Sequence, residues 1–171
     1  MYLVRGNFVK RILLSLLIII IAFVLQLTVI PIYPIFGVKA DILLVVVIIL
    51  SLMVKNRETI FIALLAGLLK EAFFGGIFAV NLLGIMLVVA LVDLIGGNFF
   101  KKNYLIPPLI TGLFTILHEI FLYLFIYRTV NMQFLKALTD TILPEAILNS
   151  ILAFIIYIIL FKILYSSEEY Y

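Results

Sequence analysis

The chain has 171 residues, of which 67% are hydrophobic and 12% are charged, and it contains no cysteine. This composition leaves almost no sequence for a water-soluble domain, and it excludes disulfides, thiolate nucleophiles and cysteine-ligated metals. The net charge of +3 is small and lies at the ends of apolar stretches, where it sets membrane orientation and contacts lipid head groups rather than forming a nucleic-acid surface.

Six apolar stretches follow one another along the chain and predict an all-α, polytopic membrane protein. We expect one transmembrane helical domain over residues 1–171. The first stretch is too long for a secretory signal peptide and lacks a cleavage site, so we expect it to remain in the mature chain. The predicted spans are residues 12–30, 40–54, 59–73, 80–96, 107–127 and 142–164.

The number of spans depends on the adjacent residues Gly75 and Gly76. A five-span alternative would run one helix through the uncharged residues 72–92. Lysine and arginine residues place the N-terminus in the cytoplasm in both cases, but their distribution does not distinguish the two counts. Each glycine inside a continuous helix would cost about 1 kcal/mol relative to alanine. We therefore expect six spans, a short third span and a cytoplasmic C-terminus.

Ionisable residues near the apolar spans are costly and require an explanation. Glu145 follows Pro144 at the predicted start of the last helix, where a carboxylate complements the helix dipole. Asp93 lies near the predicted cytoplasmic end of the fourth span and can reach the interface. Lys70 and Glu71 lie near the outer end of the third span, where ion pairing or snorkelling of the side chains towards water is enough to accommodate their charges. We interpret these residues as structural.

His118 and Glu119 differ because they lie near the middle of the fifth span, where neither side chain can easily reach water. Thr111, Gly112 and Thr115 precede them at helical spacing and complete a narrow polar stripe. We interpret this stripe as hydrogen bonding between helices rather than a proton relay. Contact with a partner or ligand and proton coupling are the two alternatives.

The sequence gives little support for catalysis or for a cofactor. A single histidine without H-E-x-x-H spacing cannot build the usual two-histidine zinc site, and no G-x-S-x-G or phosphate-binding glycine loop occurs. We therefore expect no catalytic residue, no metal and no cofactor. Ala63, Ala66 and Gly67, followed by Gly84, form the small-residue pattern of close helix contacts.

Several short motifs follow one another over residues 38–87. The dipeptide AD precedes the run ILLVVVIILSL, and the basic loop KNRE, the step GLLKE, a glycine pair and VNLLG come next. This order resembles the rod shape-determining protein MreD family, which shows proline-aspartate before a leucine-rich second span, a G-L-L-x-D step and an L-G-x-N motif. Asp41 and Gly67 match this pattern directly. Glu71 takes the place of the family aspartate, and Asn81 lies near the position of the family asparagine.

The resemblance implies a non-enzymatic component of the bacterial cell-elongation machinery in the inner membrane, in contact with membrane lipids. Such a protein would bind the bitopic protein MreC and so link cytoplasmic MreB filaments to the peptidoglycan synthases RodA and penicillin-binding protein 2. The candidate structural or partner-contact residues are Asp41, Gly67, Glu71, Asn81, Asp93, His118 and Glu119.

The same family is similar in architecture to the six-helix substrate-binding components of energy-coupling-factor vitamin transporters. This similarity supplies an alternative function. A vitamin-binding protein would present a polar pocket near the outer leaflet. The predicted outer loops, such as residues 31–39, are short and poor in hydrogen-bonding side chains, so we favour the scaffold.

Overall fold

A computed structural model describes residues 8–32, 34–35, 37–54, 56–74, 79–95, 104–125 and 133–165. The prediction of an all-helical protein is confirmed for these residues. A 3-10 turn, Ile30–Ile32, follows α1, and a π-helical stretch, Leu138–Ile142, joins α6 to α7. The α-helices are α1 Phe8–Thr28, α2 Ile42–Met53, α3 Asn56–Phe74, α4 Val80–Ile95, α5 Ile106–Phe125, α6 Phe134–Ala137 and α7 Leu143–Tyr165.

The helices have the lengths and surfaces of a membrane protein. Three stretches are long and apolar enough to cross a membrane, namely Ile12–Ile32, Ile106–Phe125 and Phe134–Lys162, and α2 and α4 are shorter apolar helices. Large apolar side chains are exposed on α1, α5 and α7, as expected for surfaces that face lipid rather than water. They include Leu13, Leu17, Leu109, Leu113, Ile147, Ile151 and Ile155.

α2 lies at the centre of the bundle and packs against α1, α3, α4, α5 and α7. All its residues from Leu43 to Met53 are buried. A helix that is apolar on every side belongs in an interior, and the sequence ILLVVVIILSLM is of this kind. The 12 residues of α2 extend about 18 Å, less than the roughly 30 Å hydrocarbon thickness of a bilayer. Neighbouring helices therefore enclose it.

The chain between α3 and α4 does not continue one helix into the next. α3 ends at Phe74, α4 begins at Val80, and Ala79 between them has a φ of 66°. A left-handed residue cannot lie inside a right-handed helix, so the continuous helix over residues 72–92, on which the five-span alternative depends, is not formed. Gly75 and Gly76 lie outside the described residues.

α3 is longer than the predicted third span. It has 19 residues and begins at Asn56, whereas the prediction began at residue 59 and expected a short helix. The reason is that charged residues lie within the helix near both of its ends, so the apolar stretch underestimates its length. These residues are Arg57, Glu58, Lys70 and Glu71.

The last helical stretch begins earlier than predicted. Residues from Phe134 onward are helical, and the π-helical stretch Leu138–Ile142 directly precedes α7. Pro144 has no N–H group to donate to the carbonyl of Asp140, and a local change of helical pitch accommodates such a gap. Glu145 therefore lies inside a continuous helical stretch and not at the free N-terminus that the dipole interpretation requires.

Glycines set the spacing between several helices. A Cβ atom on Gly67 would lie 2.6 Å from Cδ1 and 3.1 Å from Cα of Leu82, so α3 and α4 approach closely at this point. A Cβ on Gly84 would lie 3.3 Å from the His118 ring, at the contact of α4 with α5. A Cβ on Gly112 would collide with a side chain of α7. These glycines therefore lie at helix contacts.

Candidate functional site: a polar cavity at one end of the bundle

Every described α-helix except the four-residue α6 contributes side chains to a cavity of about 250 Å³ at one end of the bundle. This end contains the last turn of α1, the starts of α2, α4 and α7, and the C-terminal halves of α3 and α5. We call it the polar cavity. Its lining residues are Gln26, Lys39, Ala40, Asp41, Leu43, Lys70, Phe74, Asn81, Glu119, Leu122 and Glu145.

Asp41 connects three helices at the edge of the polar cavity. It is the N-cap of α2, and its carboxylate accepts a hydrogen bond of 2.9 Å from the Leu44 N–H. The same carboxylate forms an ion pair with Lys70 of α3, and the two side chains are 7% and 12% exposed. The Asp41 N–H donates to Oδ1 of Asn149 on α7 at 2.8 Å. The start of α2 is thus fixed to both α3 and α7.

Glu71 of α3 caps the start of α4. Its Oε1 accepts from the Ala79 N–H at 2.9 Å, and its Oε2 accepts from the N–H groups of Asn81 and Leu82 at 2.9 and 3.3 Å. The first N–H groups of a helix have no intrahelical acceptor, so this carboxylate satisfies them and also complements the helix dipole. Glu71 is therefore a capping residue of the next helix.

Asn81 lies in the first turn of α4 with its side chain in the wall of the polar cavity. The residue is 3% exposed, and its Nδ2 has no hydrogen-bond partner among the described residues. A buried amide donor normally has an acceptor. The side-chain amide of Asn81 therefore has a buried N–H donor that the described residues leave unsatisfied.

His118 and Glu119 are buried on α5, with exposures of 0% and 3%. His118 Nδ1 lies 3.1 Å from Glu119 Oε1, and the N–H of the ring donates because a carboxylate can only accept. The other ring nitrogen, Nε2, lies near Gly84 and has no partner within the described part of the chain. Glu119 also lines the polar cavity. His118 therefore lies at the contact of α5 with α4, and Glu119 lies in the wall of the polar cavity.

Asn149 and Glu145 face the same region from α7. Asn149 Nδ2 donates to the hydroxyl oxygen of Thr115 on α5 at 3.3 Å. Glu145 is 8% exposed and lines the polar cavity. Its carboxyl group is hydrogen-bonded to Asn149 and lies near Glu119, Asp41 and Lys70. The cavity therefore brings together ionisable side chains from α3, α5, α7 and the start of α2.

The remaining candidates from the sequence lie in different places. Thr111, Gly112 and Thr115 are buried on α5, and the Thr111 hydroxyl donates to the Pro107 carbonyl of its own helix. Asp93 lies at the opposite end of the bundle, where it accepts a hydrogen bond from the Thr59 hydroxyl. Of the seven sequence candidates, the structure places Asp41, Asn81 and Glu119 in the wall of the polar cavity.

Gln26 is a site residue that the sequence patterns do not single out. Its Nε2 donates to the Ala40 carbonyl at 3.2 Å, and its Oε1 accepts from the Ile42 N–H at 2.8 Å. It thereby joins the end of α1 to the turn before α2. The available signal is a lone amide side chain within the apolar residues 12–30. A search for polar groups in the outer loops overlooks this cavity, since helix ends supply most of its polar side chains.

The family model for the rod shape-determining protein MreD matches residues 7–166, which include every residue of the polar cavity. The chain belongs to the MreD family. It is thus a transmembrane protein of the inner membrane with a role in rod shape determination, and the resemblance noted in residues 38–87 is confirmed. No curated protein and no solved structure matches the chain significantly. The comparisons give no support to the alternative of a vitamin-transporter component.

Proposed function

We propose that this MreD-family protein is a non-enzymatic scaffold of the cell-elongation machinery and that it binds an MreC-type bitopic protein. Through that partner it links cytoplasmic MreB filaments to RodA and penicillin-binding protein 2. The observation that carries this proposal is the family match over residues 7–166.

The use of polar side chains supports a scaffolding role. Asp41 and Glu71 satisfy backbone N–H groups at the starts of α2 and α4. Lys70 and Asn149 connect α3 and α7 to the start of α2. Such contacts fix the relative positions of four helices, namely α2, α3, α4 and α7. A fixed arrangement preserves the outer surface that a partner helix would recognise, because less conformational entropy is lost on binding.

We also propose that the chain crosses the membrane six times with both termini in the cytoplasm. Arg5, Lys10 and Arg11 precede the first span, and Lys55 and Arg57 flank the junction of α2 with α3. Excess basic residues favour the cytoplasmic side. With this topology the polar cavity opens towards the periplasm, because α1 ends and α2 begins at that side.

Co-purification tests the proposed partner. We expect the tagged chain, co-expressed with the MreC-type protein of the same organism and extracted in mild detergent, to retain that protein through size-exclusion chromatography. An unrelated bitopic protein expressed at the same level is the control and should be lost. Elution of the chain as a monodisperse species without the MreC-type protein would show that the proposed interaction is wrong.

Depletion of the chain tests the proposed role in the cell. We expect rod-shaped cells to become round as the protein is depleted, and expression of the intact chain to restore rods. Normal rods after complete depletion would contradict the proposal.

A further inference from the structure

A second cavity lies at the end of the bundle opposite the polar cavity. It has a volume of about 290 Å³ and is lined by Tyr104, Phe154, Ile158, Phe161 and Lys162. We call it the aromatic groove. Its lining residues on α7 follow one another at helical spacing, so they share one face of that helix.

Packed aromatic rings form one wall of the aromatic groove. Tyr104, which precedes α5, packs edge-on against Tyr157 and Phe161 of α7, with ring centroids 6.1 and 5.9 Å apart. Tyr157 and Phe161 also contact each other, at 5.8 Å. Phe154 is 40% exposed and opens the groove to the surrounding lipid. The groove is therefore an apolar recess with a wall fixed by three rings.

A cation lies where the aromatic groove reaches the membrane surface. Lys162 is in the last turn of α7, is exposed and forms no ion pair with another described residue. A lysine near the end of a membrane helix extends its ammonium group to the head-group region. The phenol of Tyr104 can donate a hydrogen bond to an anion there. An anionic phospholipid has the complementary arrangement, because its phosphate group lies above apolar acyl chains.

The aromatic groove is confined to one leaflet of the bilayer. From Phe154 to Lys162, α7 rises about 12 Å, which is less than half of the roughly 30 Å hydrocarbon thickness. The acyl chains of one leaflet end near the bilayer midplane and match this length. A transmembrane helix of a partner would instead need a contact surface across the full thickness. The length of the groove therefore favours a lipid over a helix.

We propose that the aromatic groove binds one anionic phospholipid from the leaflet at this end of the bundle. One acyl chain lies against Phe154 and Ile158, and the phosphate group contacts the Lys162 ammonium and the Tyr104 hydroxyl. The leaflet is the cytoplasmic one in the proposed topology. The site itself does not depend on the proposed partner, because residues of this chain alone form it.

Fluorescence quenching tests the proposal, because the chain has no tryptophan and an introduced one is the sole indole reporter. We would reconstitute the full-length Phe154→Trp protein in vesicles of phosphatidylcholine and phosphatidylglycerol, with bromine on the acyl chains of one of the two lipids at a time. Bromine quenches tryptophan only at short range. The control is Leu113→Trp, which is exposed on α5, lies a similar number of residues from the same end and does not line the groove.

We expect phosphatidylglycerol to bind about fivefold more strongly than phosphatidylcholine at Phe154→Trp, because one lysine near the membrane surface attracts the anionic head group. The two lipids should bind equally at Leu113→Trp. Phe161→Trp, also in the groove, replaces Phe154→Trp if that variant does not elute as a monodisperse species. Equal preference at the groove and at the control position would overturn the proposal.

A pair of charge variants separates the groove from the general attraction of a basic protein for anionic lipid. Lys162→Gln, combined with Phe154→Trp, should abolish the preference for phosphatidylglycerol. Lys136→Gln removes an exposed lysine at the opposite end of the same helical stretch and should leave the preference unchanged. A preference that survives Lys162→Gln would overturn the proposal.

Other occupants of the aromatic groove would give different results. If the acidic tail residues Glu168 and Glu169 neutralised Lys162, the two lipids would bind equally at Phe154→Trp. If a transmembrane helix of the MreC-type protein filled the groove, neither brominated lipid would quench Phe154→Trp in the co-purified complex. Either result would overturn the lipid proposal, and neither would alter whether the MreC-type protein co-purifies.

Discussion

Asp41 shows how one residue can connect the start of a helix to two other helices. Its carboxylate caps α2 and pairs with Lys70, while its backbone N–H donates to Asn149. The ion pair is buried, so water does not screen its two charges as it screens charges on a protein surface. Removing one partner leaves the other charge without compensation in a region of low dielectric constant.

We predict that Lys70→Met lowers the free energy of unfolding by about 3–5 kcal/mol, because it leaves the Asp41 charge unpaired. Asp41→Asn removes that charge and keeps the capping capacity, since asparagine and aspartate are comparable N-caps. The double variant should therefore recover most of the loss. The measurement is the temperature at which half of the protein still elutes as a monodisperse species after heating. Equal losses in the single Lys70 variant and the double variant would contradict this account.

A second prediction concerns Glu119, whose Oε1 accepts from the His118 ring. Glu119→Gln keeps a carbonyl oxygen for that bond and should leave the midpoint of thermal unfolding close to that of the parent. Glu119→Leu removes the acceptor, leaves the buried His118 N–H unsatisfied and should cost roughly 1–3 kcal/mol. Two variants with the same stability would show that hydrogen bonding is not the role of Glu119 in the fold.

For single residues, the sequence indicates which polar side chains are costly to bury in an apolar span, but it does not indicate which partners these side chains have. Asp41 and Asn149 are separated by 108 positions, and no local pattern connects them. Lys70 pairs with Asp41 of α2, whereas its neighbour Glu71 accepts hydrogen bonds from the start of α4. The cost of an ionisable group in an apolar span could single out Asp93, His118 and Glu119, and the family motifs could single out Asp41, Gly67 and Asn81. The polar cavity, in contrast, depends on the packing of helices that are distant in the sequence.

At the scale of elements, the start of α4 depends on a residue of α3. Glu71 accepts hydrogen bonds from the N–H groups of Ala79, Asn81 and Leu82. Their short separation along the chain makes this contact an interaction between consecutive helices. It also fixes the turn in which Ala79 has a positive φ.

We predict that Glu71→Ala lowers the free energy of unfolding by about 1–2 kcal/mol, because the first N–H groups of α4 lose their acceptor. Glu71→Gln, with one carbonyl oxygen, should have an intermediate effect. Hydrogen exchange measured by mass spectrometry should be faster for residues 79–82 in the alanine variant and unchanged in α7, which serves as the internal control. Unaltered exchange at residues 79–82 would contradict the capping role.

Helix positions could be predicted well where apolar stretches end at proline, glycine or charge, and less well elsewhere. Residues 80–96 correspond closely to α4, Val80–Ile95. The helical residues from Phe134 to Thr141 were missed because Pro144 resembles a helix start. Hydrophobic periodicity does not reveal a π-helical stretch, since this feature is a local response to a missing N–H group.

At the scale of the whole molecule, our proposal of six crossings depends on the break in the chain at Ala79. Charge alone could not distinguish five spans from six, because both place an excess of basic residues in the cytoplasm. Ala79 has a left-handed backbone conformation, although alanine is not a residue from which a turn is normally predicted. The sequence therefore did not indicate that the chain turns at this residue.

We predict that both ends of the chain lie in the cytoplasm. A reporter that is active only in the periplasm, fused after Tyr171, should give no signal, whereas the same reporter inserted after Gly37, in the turn before α2, should be active. Equal expression of the two fusions is the control. A strong signal from the fusion after Tyr171 would require an odd number of crossings and would contradict the proposed topology.

The enclosed position of α2 also bears on how the protein is made. The ribosome releases α2 when α1 is the only earlier helix, whereas α3, α4, α5 and α7, which complete its surroundings, are synthesised later. With 12 residues, α2 is shorter than the approximately 20 residues that a membrane-crossing helix needs on its own. We therefore expect the order of stable membrane entry to differ from the order of synthesis, with α2 reaching its final depth only after α7 has packed against it.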